Sequence, residues 1–476
     1  MRTRLACLLT LAALAAVPAA AQPEQPPAPG PLRPYTVPPL EEFRLPNGVR
    51  VAVVRDAKLP IVSGRIMVDA GAALESAGQS GLAVLTGNLL ETGTTGMTAA
   101  QILEEMERLG AQFTTSASYS YAYATVTAAR SRFPAALLLA ARTVTQPTFP
   151  EQEFQRAHAE AVATLVQINS TVEGLANAAF SRAVFEPSAP YSRSPLGTRA
   201  ALERLTRDDV VNWHRTRYSP ANTTLLLVGD ITVQEARQLA QQALGGWNAP
   251  AVQVPAVANP ARPVTGMRVI LIDRPGSVQS GVTVGQAGIG FADPAYVPML
   301  ALSHVLGGGF KSRINMNLRE QHGWTYGAGT NLQALRGAGI FTISSAVRTN
   351  ATDSAVAEIV REFRRIVDEP VPAEELRAAQ ANLVGSFPAS VQTVQGLLQR
   401  MQSLLLYGLP TDFYASYRER IAAVTPQEMA RVGRQKLTPD RLTIVVAGDL
   451  SQIEAPIRAL NLGPVEVWDA DGNVVR

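Results

Sequence analysis

Apolar positions recur in short β-branched runs at Val49–Val54 and Ile61–Val68, and again at Val269–Ile272 and Gly281–Gln286. Runs of this length and composition predict strands. Strand-like hairpins follow at Ser118–Thr127 and Gly339–Ala346. The apolar period then changes from that of a strand to that of a helix, predicting long amphipathic helices over Glu151–Gln167 and Ala373–Leu383. Two apolar strands each end in Gly-Asp, at Asp230 and Asp449.

These elements occur twice. Tyr218 to Asp230 aligns without a gap with Leu437 to Asp449 at an offset of 219. The Val49 and Met267 segments repeat at about 218, and Phe149-Pro150-Glu151 against Val371-Pro372-Ala373 at about 222. Three windows at nearly one offset indicate an internal duplication. Strands early and helices late in each repeat predict an α+β fold of two homologous halves, each a mainly antiparallel sheet layered with helices.

Composition narrows the class. With 46% hydrophobic and 17% charged residues the chain is neither disordered nor fibrous, and 476 residues suffice for two to three domains. All but three of the 42 basic residues are Arg, the exceptions being Lys58, Lys311 and Lys436. Beside abundant Ala this indicates a coding bias, and a net charge of +3 gives no nucleic-acid surface.

Arg2 and Arg4, the apolar run Leu5–Val17 and small residues up to Ala21 have the layout of a signal peptide over residues 1–21. Its removal takes two Arg and the lone Cys7, so the mature chain is predicted to carry a charge of +1. It would have no disulfide and no Cys-based metal site. The expected location is the bacterial periplasm, with no transmembrane segment. A Pro-rich linker spans 22–39, eight of its residues being Pro. One domain is expected over 40–248, a second linker over 249–265 and a second domain over 266–476.

The candidate chemistry lies in two segments. The first is Gly81-Leu-Ala-Val84-Leu-Thr-Gly87-Asn88-Leu-Leu-Glu-Thr-Gly93-Thr94. It resembles the zinc-site helix of the pitrilysin/insulinase metallopeptidases, the inverzincins, whose signature is His-x-x-Glu-His. Gly81, Ala83, Gly93 and Thr94 match that family's frame, as does the stretch from Ala189 to Thr198, and the resemblance covers essentially the whole mature chain. It implies two halves facing each other as a clamshell. The ligand and base positions, on one helix face at i, i+3 and i+4, hold Val84, Gly87 and Asn88, and the third ligand position falls on Leu165. No metal is therefore expected in this chain. The four mature His, at 158, 214, 304 and 322, form no local ligand pair. His158, His214 and His322 read as surface residues and His304 as packed at a helix end.

The second segment runs from His304 through Gly307-Gly308-Gly309, Ser312-Arg313 and Arg319 to Tyr326-Gly327. It resembles the family's Leu-Gly-Gly-Gly-x-x-Ser-Arg-Leu, Leu-Arg-Glu and Gly-x-x-Tyr motif. In two-subunit bacterial members an Arg and a Tyr at this spacing complete the active site of a zinc-bearing partner. A guanidinium can clamp a peptide carbonyl, and a phenol can donate to the oxyanion formed during hydrolysis. On their own residues, Arg319 pairing with a carboxylate and Tyr326 packing in a hairpin would be the plainer reading. The triple Gly reads as a tight helix-end turn that brings backbone to a substrate or partner. It is no phosphate loop, since Phe310 separates the Gly run from Lys311. No Gly-x-Ser-x-Gly or Ser-x-x-Lys motif is present. The resemblance thus implies the non-catalytic subunit of a periplasmic heteromeric zinc metallopeptidase acting on peptides or unfolded segments, with zinc in a paralogous partner. The alternative is a non-enzymatic peptide-binding chaperone or scaffold of the same fold.

Overall fold

A computed structural model describes residues 36–256 and 258–476. The predicted signal peptide, Cys7 and most of the first linker lie outside the described residues. The first half contains β1 (Leu40–Arg44), β2 (Arg50–Arg55), β3 (Ile61–Val68), β4 (Gln112–Ala117), β5 (Ala122–Ala129) and β6 (Thr223–Gly229). Its helices include α1 (Leu82–Leu89), α2 (Phe133–Thr145), α3 (Glu151–Asn169), α4 (Val172–Val184), α5 (Arg207–Arg217) and α6 (Val233–Leu244). In the second half are β7 (Arg268–Asp273), β8 (Gln279–Ile289), β9 (Thr325–Ala334), β10 (Ala338–Arg348), β11 (Thr443–Gly448) and β12 (Val465–Trp468). They are accompanied by α7 (Tyr296–Gly307), α8 (Thr352–Asp368), α9 (Ala373–Ser390), α10 (Val394–Tyr407), α11 (Pro426–Lys436) and α12 (Leu450–Ala459).

The duplication is explicit in the sheets. The first has the order β1-β2-β6-β3-β5-β4, the second β12-β7-β11-β8-β10-β9. In each, the strand before Gly-Asp inserts beside the opening strand in parallel, β6 on β2 and β11 on β7, and its other neighbour is antiparallel. Both inserted strands are buried along nearly their whole length, which explains their unbroken apolar runs. The repeated Thr206 and Thr425 are N-caps of α5 and α11, accepting from the backbone N–H of Asp209 and Glu428.

Helices α2 and α6 cover one face of the first sheet, and α8 and α12 the matching face of the second. The opposite faces are covered reciprocally. Helix α4 belongs to the first half in sequence, yet its stripe Val172, Leu175, Ala176, Ala179, Phe180 and Ala183 packs on Ile270, Ile272, Val445 and Ala447 of the second sheet. Helix α10, from the second half, lies on β3 and β6. There Arg65 donates to Gln402 and to Thr125 Oγ1 (2.7 Å), and Gln402 donates to the Tyr121 hydroxyl.

Several local expectations are corrected. The hairpin near Ser118–Thr127 begins earlier: β4 starts at Gln112, residues 118–121 form the turn, and β5 runs on to Ala129. Helix α9 continues seven residues past Leu383, to Ser390. His158 and His214 are half-buried rather than on the surface. His158 Nε2 lies 2.7 Å from the Leu202 carbonyl oxygen, and His214 Nε2 lies 2.8 Å from that of Val144, its ring against Phe149 and Tyr218. Each sits one helical turn from a core residue, Phe154 and Val210, which places it on the buried stripe. His322 is exposed and stacks on Trp324, while His304 is partly buried near the end of α7.

Candidate functional site

Helix α1 is fixed at its start by a buried carboxyl group. Glu75 accepts from the Gly81 N–H (3.0 Å) and the Ala83 N–H (2.6 Å), and burial pushes it up to about 8. Gly81 has φ +101°, which only glycine adopts without strain. At the other end the Thr94 hydroxyl donates to the carbonyls of Arg142 and Gln146. The frame residues that match the metallopeptidase pattern therefore have structural duties here.

The metal-facing residues do not fit zinc. Val84 is 8% exposed and offers only methyl groups, while Asn88 is exposed to solvent. Gly87 lies against the edge strand β4, where an added Cβ would stand 2.5 Å from the Ser116 carbonyl carbon and 2.7 Å from its oxygen. A catalytic Glu lacks both a side chain and room at that position. Leu165 is a core residue, 8% exposed. A pocket of about 360 Å³ does lie over this face, lined by Val84, Asn88, Glu91, Thr115, Arg156 and Glu160 among others. Glu91 shares the helix face at i+7 from Val84 and i+3 from Asn88, a spacing legible in the sequence. Burial raises its carboxyl. Glu160 enters the pocket but is largely exposed and paired with Arg156 at 3.4 Å. Among the described residues no group of three or more His, Cys, Asp or Glu is placed to hold a metal ion.

The second segment is built differently. Helix α7 ends at Gly307, a short helix over Arg313–Asn315 follows, and a π-helical turn over Met316–Gln321 carries Arg319. Such turns recur at functional sites. The chain reverses at Gly323 (φ +62°), whose N–H donates to the Arg319 carbonyl at 2.9 Å, and enters β9. The pairing of β9 with β10 is irregular between Thr325 and Ala328, and Tyr326 lies in that bulge.

Tyr326 is 91% exposed, so it does not pack in the hairpin. The Arg319 side chain is 42% exposed, with Nε 3.3 Å from Glu320 Oε1 and its guanidinium carbon 5.0 Å from the centroid of the Phe310 ring. That exposed contact with an adjacent Glu is weak. The structure thus places both groups at one end of the second sheet, joined by a short reversal.

The glycines divide in role. An added Cβ at Gly307 would stand 2.4 Å from the Thr330 nitrogen, so its close approach is to the chain's own β9. At Gly308 it would meet His304 at 2.3 Å, and at Gly309 nothing nearer than 3.8 Å. Gly309 faces a cavity of about 740 Å³ that Phe310, Lys311 and Arg313 also line. Of the three, Gly309 alone has the freedom expected of a substrate-facing glycine.

Residues 50–190 match the family described as insulinase (peptidase family M16), and residues 204–383 the peptidase M16 inactive domain. An uncharacterized zinc protease of Rickettsia bellii is 24% identical over 349 residues, 71% of this chain and 81% of that protein. The non-peptidase homolog YmxG of Helicobacter pylori is 21% identical over 398 residues, 80% and 88% of the two chains. Among solved structures, a peptidase M16 inactive domain from Pseudomonas fluorescens has TM-score 0.79 at 23% identity, covering 86% of this chain and 98% of that one. A protease from Helicobacter pylori has TM-score 0.80 at 20% identity, with coverages of 86% and 99%. At these identities the structural matches establish the shared fold. No helix among the described residues is long and apolar enough to cross a membrane.

Proposed function

The chain belongs to the M16 insulinase peptidase family, and from that membership we propose that it is the zinc-less subunit of a heteromeric metallopeptidase working in the periplasm. A paralogous subunit with an intact His-x-x-Glu-His brings the metal and the general base. This chain brings Arg319, Tyr326 and half of an enclosed chamber, with Gly309 next in the chain to the Phe310 ring that Arg319 overlies. The reading is carried by one contrast: an aromatic hydroxyl presented to solvent at 91% exposure, in a molecule whose own metal helix offers Val84, Gly87 and Asn88. Arg319 clamps a substrate carbonyl or carboxylate with two N–H groups, and the Tyr326 hydroxyl donates to the oxyanion as the peptide bond is hydrolysed.

Steady-state turnover of an unstructured peptide by the co-purified complex tests this. Tyr326→Phe and Arg319→Ala should each lower kcat by roughly 10²- to 10³-fold, the magnitude for an oxyanion donor, with the fold intact. Turnover unchanged in both variants would favour the second reading, a peptide-binding scaffold without peptidase function. The resemblance to a protein described as a non-peptidase homolog motivates that alternative.

A further inference from the structure

We propose that Asn315 and Phe310 form one positioning device that sets Arg319 and Tyr326 relative to each other. The inference rests on the split-site reading for its catalytic meaning, but its geometry stands independently. Asn315 is 5% exposed and lies between the apolar residues Ile314 and Leu318 of the buried helix face. An aliphatic side chain would suit burial there, so the amide needs another reason. Its Nδ2 donates to the Phe310 carbonyl at 2.8 Å, and its Oδ1 accepts from the Ala328 N–H at 3.3 Å. One buried side chain therefore ties the glycine-rich loop to strand β9.

Both ends of that tie meet a proposed functional group. Phe310 is 57% exposed, and the Arg319 guanidinium lies over its ring, the guanidinium carbon 5.0 Å from the centroid. Ala328 is the residue at which β9 resumes register with β10, opposite Ser345, directly after the bulge that holds Tyr326. The bulge is braced from the other side, where the Thr325 hydroxyl donates to the Ala346 carbonyl (2.6 Å) and the Ser345 hydroxyl to the Gly327 carbonyl (3.0 Å). Arg319 is thus held through Phe310 and Tyr326 through Ala328, with Asn315 common to both. Neither Asn315 nor Phe310 is a catalytic residue; each acts by limiting where the other two can stand.

The test uses two readouts. In the co-purified complex, Phe310→Leu should lower kcat about tenfold with KM within about twofold, and Phe310→Trp should restore it, because misplacement of an oriented group is felt in the chemical step. Hydrogen exchange on the isolated full chain provides a readout that needs no partner. Asn315→Leu should raise exchange at 309–312 and 325–330 together. If that variant fails to fold, Asn315→Asp keeps the acceptor for Ala328 and should loosen 309–312 alone. Wild-type kcat in Phe310→Leu, failure of Trp to rescue, or exchange unchanged at both segments overturns the device. Loss of the paired exchange effect does so whatever the fate of the catalytic reading. Unchanged turnover in Arg319→Ala and Tyr326→Phe instead overturns the split site.

Discussion

A Cβ at position 87 would stand 2.5 Å from the Ser116 carbonyl carbon, so α1 and the edge strand β4 approach more closely than any side chain there permits. Restoring the ligands is then a problem of backbone position as well as chemistry. The combined Val84→His, Gly87→Glu, Asn88→His variant should bind no stoichiometric zinc. Gly87→Ala alone should cost about 1–3 kcal/mol through overpacking. Metal analysis and chemical denaturation check this, and a zinc-loaded triple variant of unchanged stability would contradict it. Tyr326→Phe, on an exposed side chain, should change stability by no more than about 0.5 kcal/mol. At this scale the sequence spacing places positions 84, 87 and 88 on one helix face. It does not indicate how near β4 comes, because strand-to-helix distance leaves no periodic trace; Glu91 joins the same helix face at i+7 from Val84.

The start of α1 rests on Glu75, and that dependence has a pH signature. Burial lifts this carboxyl from 4.5 to about 8, against the pull of two backbone N–H groups. A folded-state value above the unfolded one means that the native state holds the proton more tightly. The stability this confers is complete below about pH 4.5, declines as pH rises toward 8, and is absent above it. Thermal melts from pH 5 to 9 should show this decline in the native chain and a shallower slope in Glu75→Gln; equal slopes would contradict the assignment. Elements with their own periodicity were legible: the long helices and the paired strands before Gly-Asp. The amphipathic stripe of α4 reveals that one face is buried but not against which sheet. The exchange of α4 and α10 between halves therefore lay outside what periodicity can specify.

For the whole molecule, that exchange joins what the linker at 249–265 separates in sequence. Each sheet needs a helix from the other half to cover its second face, so neither half completes its core alone. Calorimetry should record the two sheets melting together. Phe180→Ala, deep in the second sheet's cover, should destabilise that joint transition by about 3–5 kcal/mol. Two resolved transitions in the native chain would contradict the coupling. The same fold presents Arg319 and Tyr326 at one end of the second sheet, and among the described residues it groups no three His, Cys, Asp or Glu to hold a metal ion. We propose that zinc is carried by a second chain. Affinity capture of the tagged full-length protein from its native cells, with zinc measured on each separated component, is the deciding measurement. A near-equimolar partner bearing His-x-x-Glu-His and the zinc, with none on this chain, is the expected result. Recovery of this chain alone, even after mild crosslinking, or with stoichiometric zinc of its own, would contradict it.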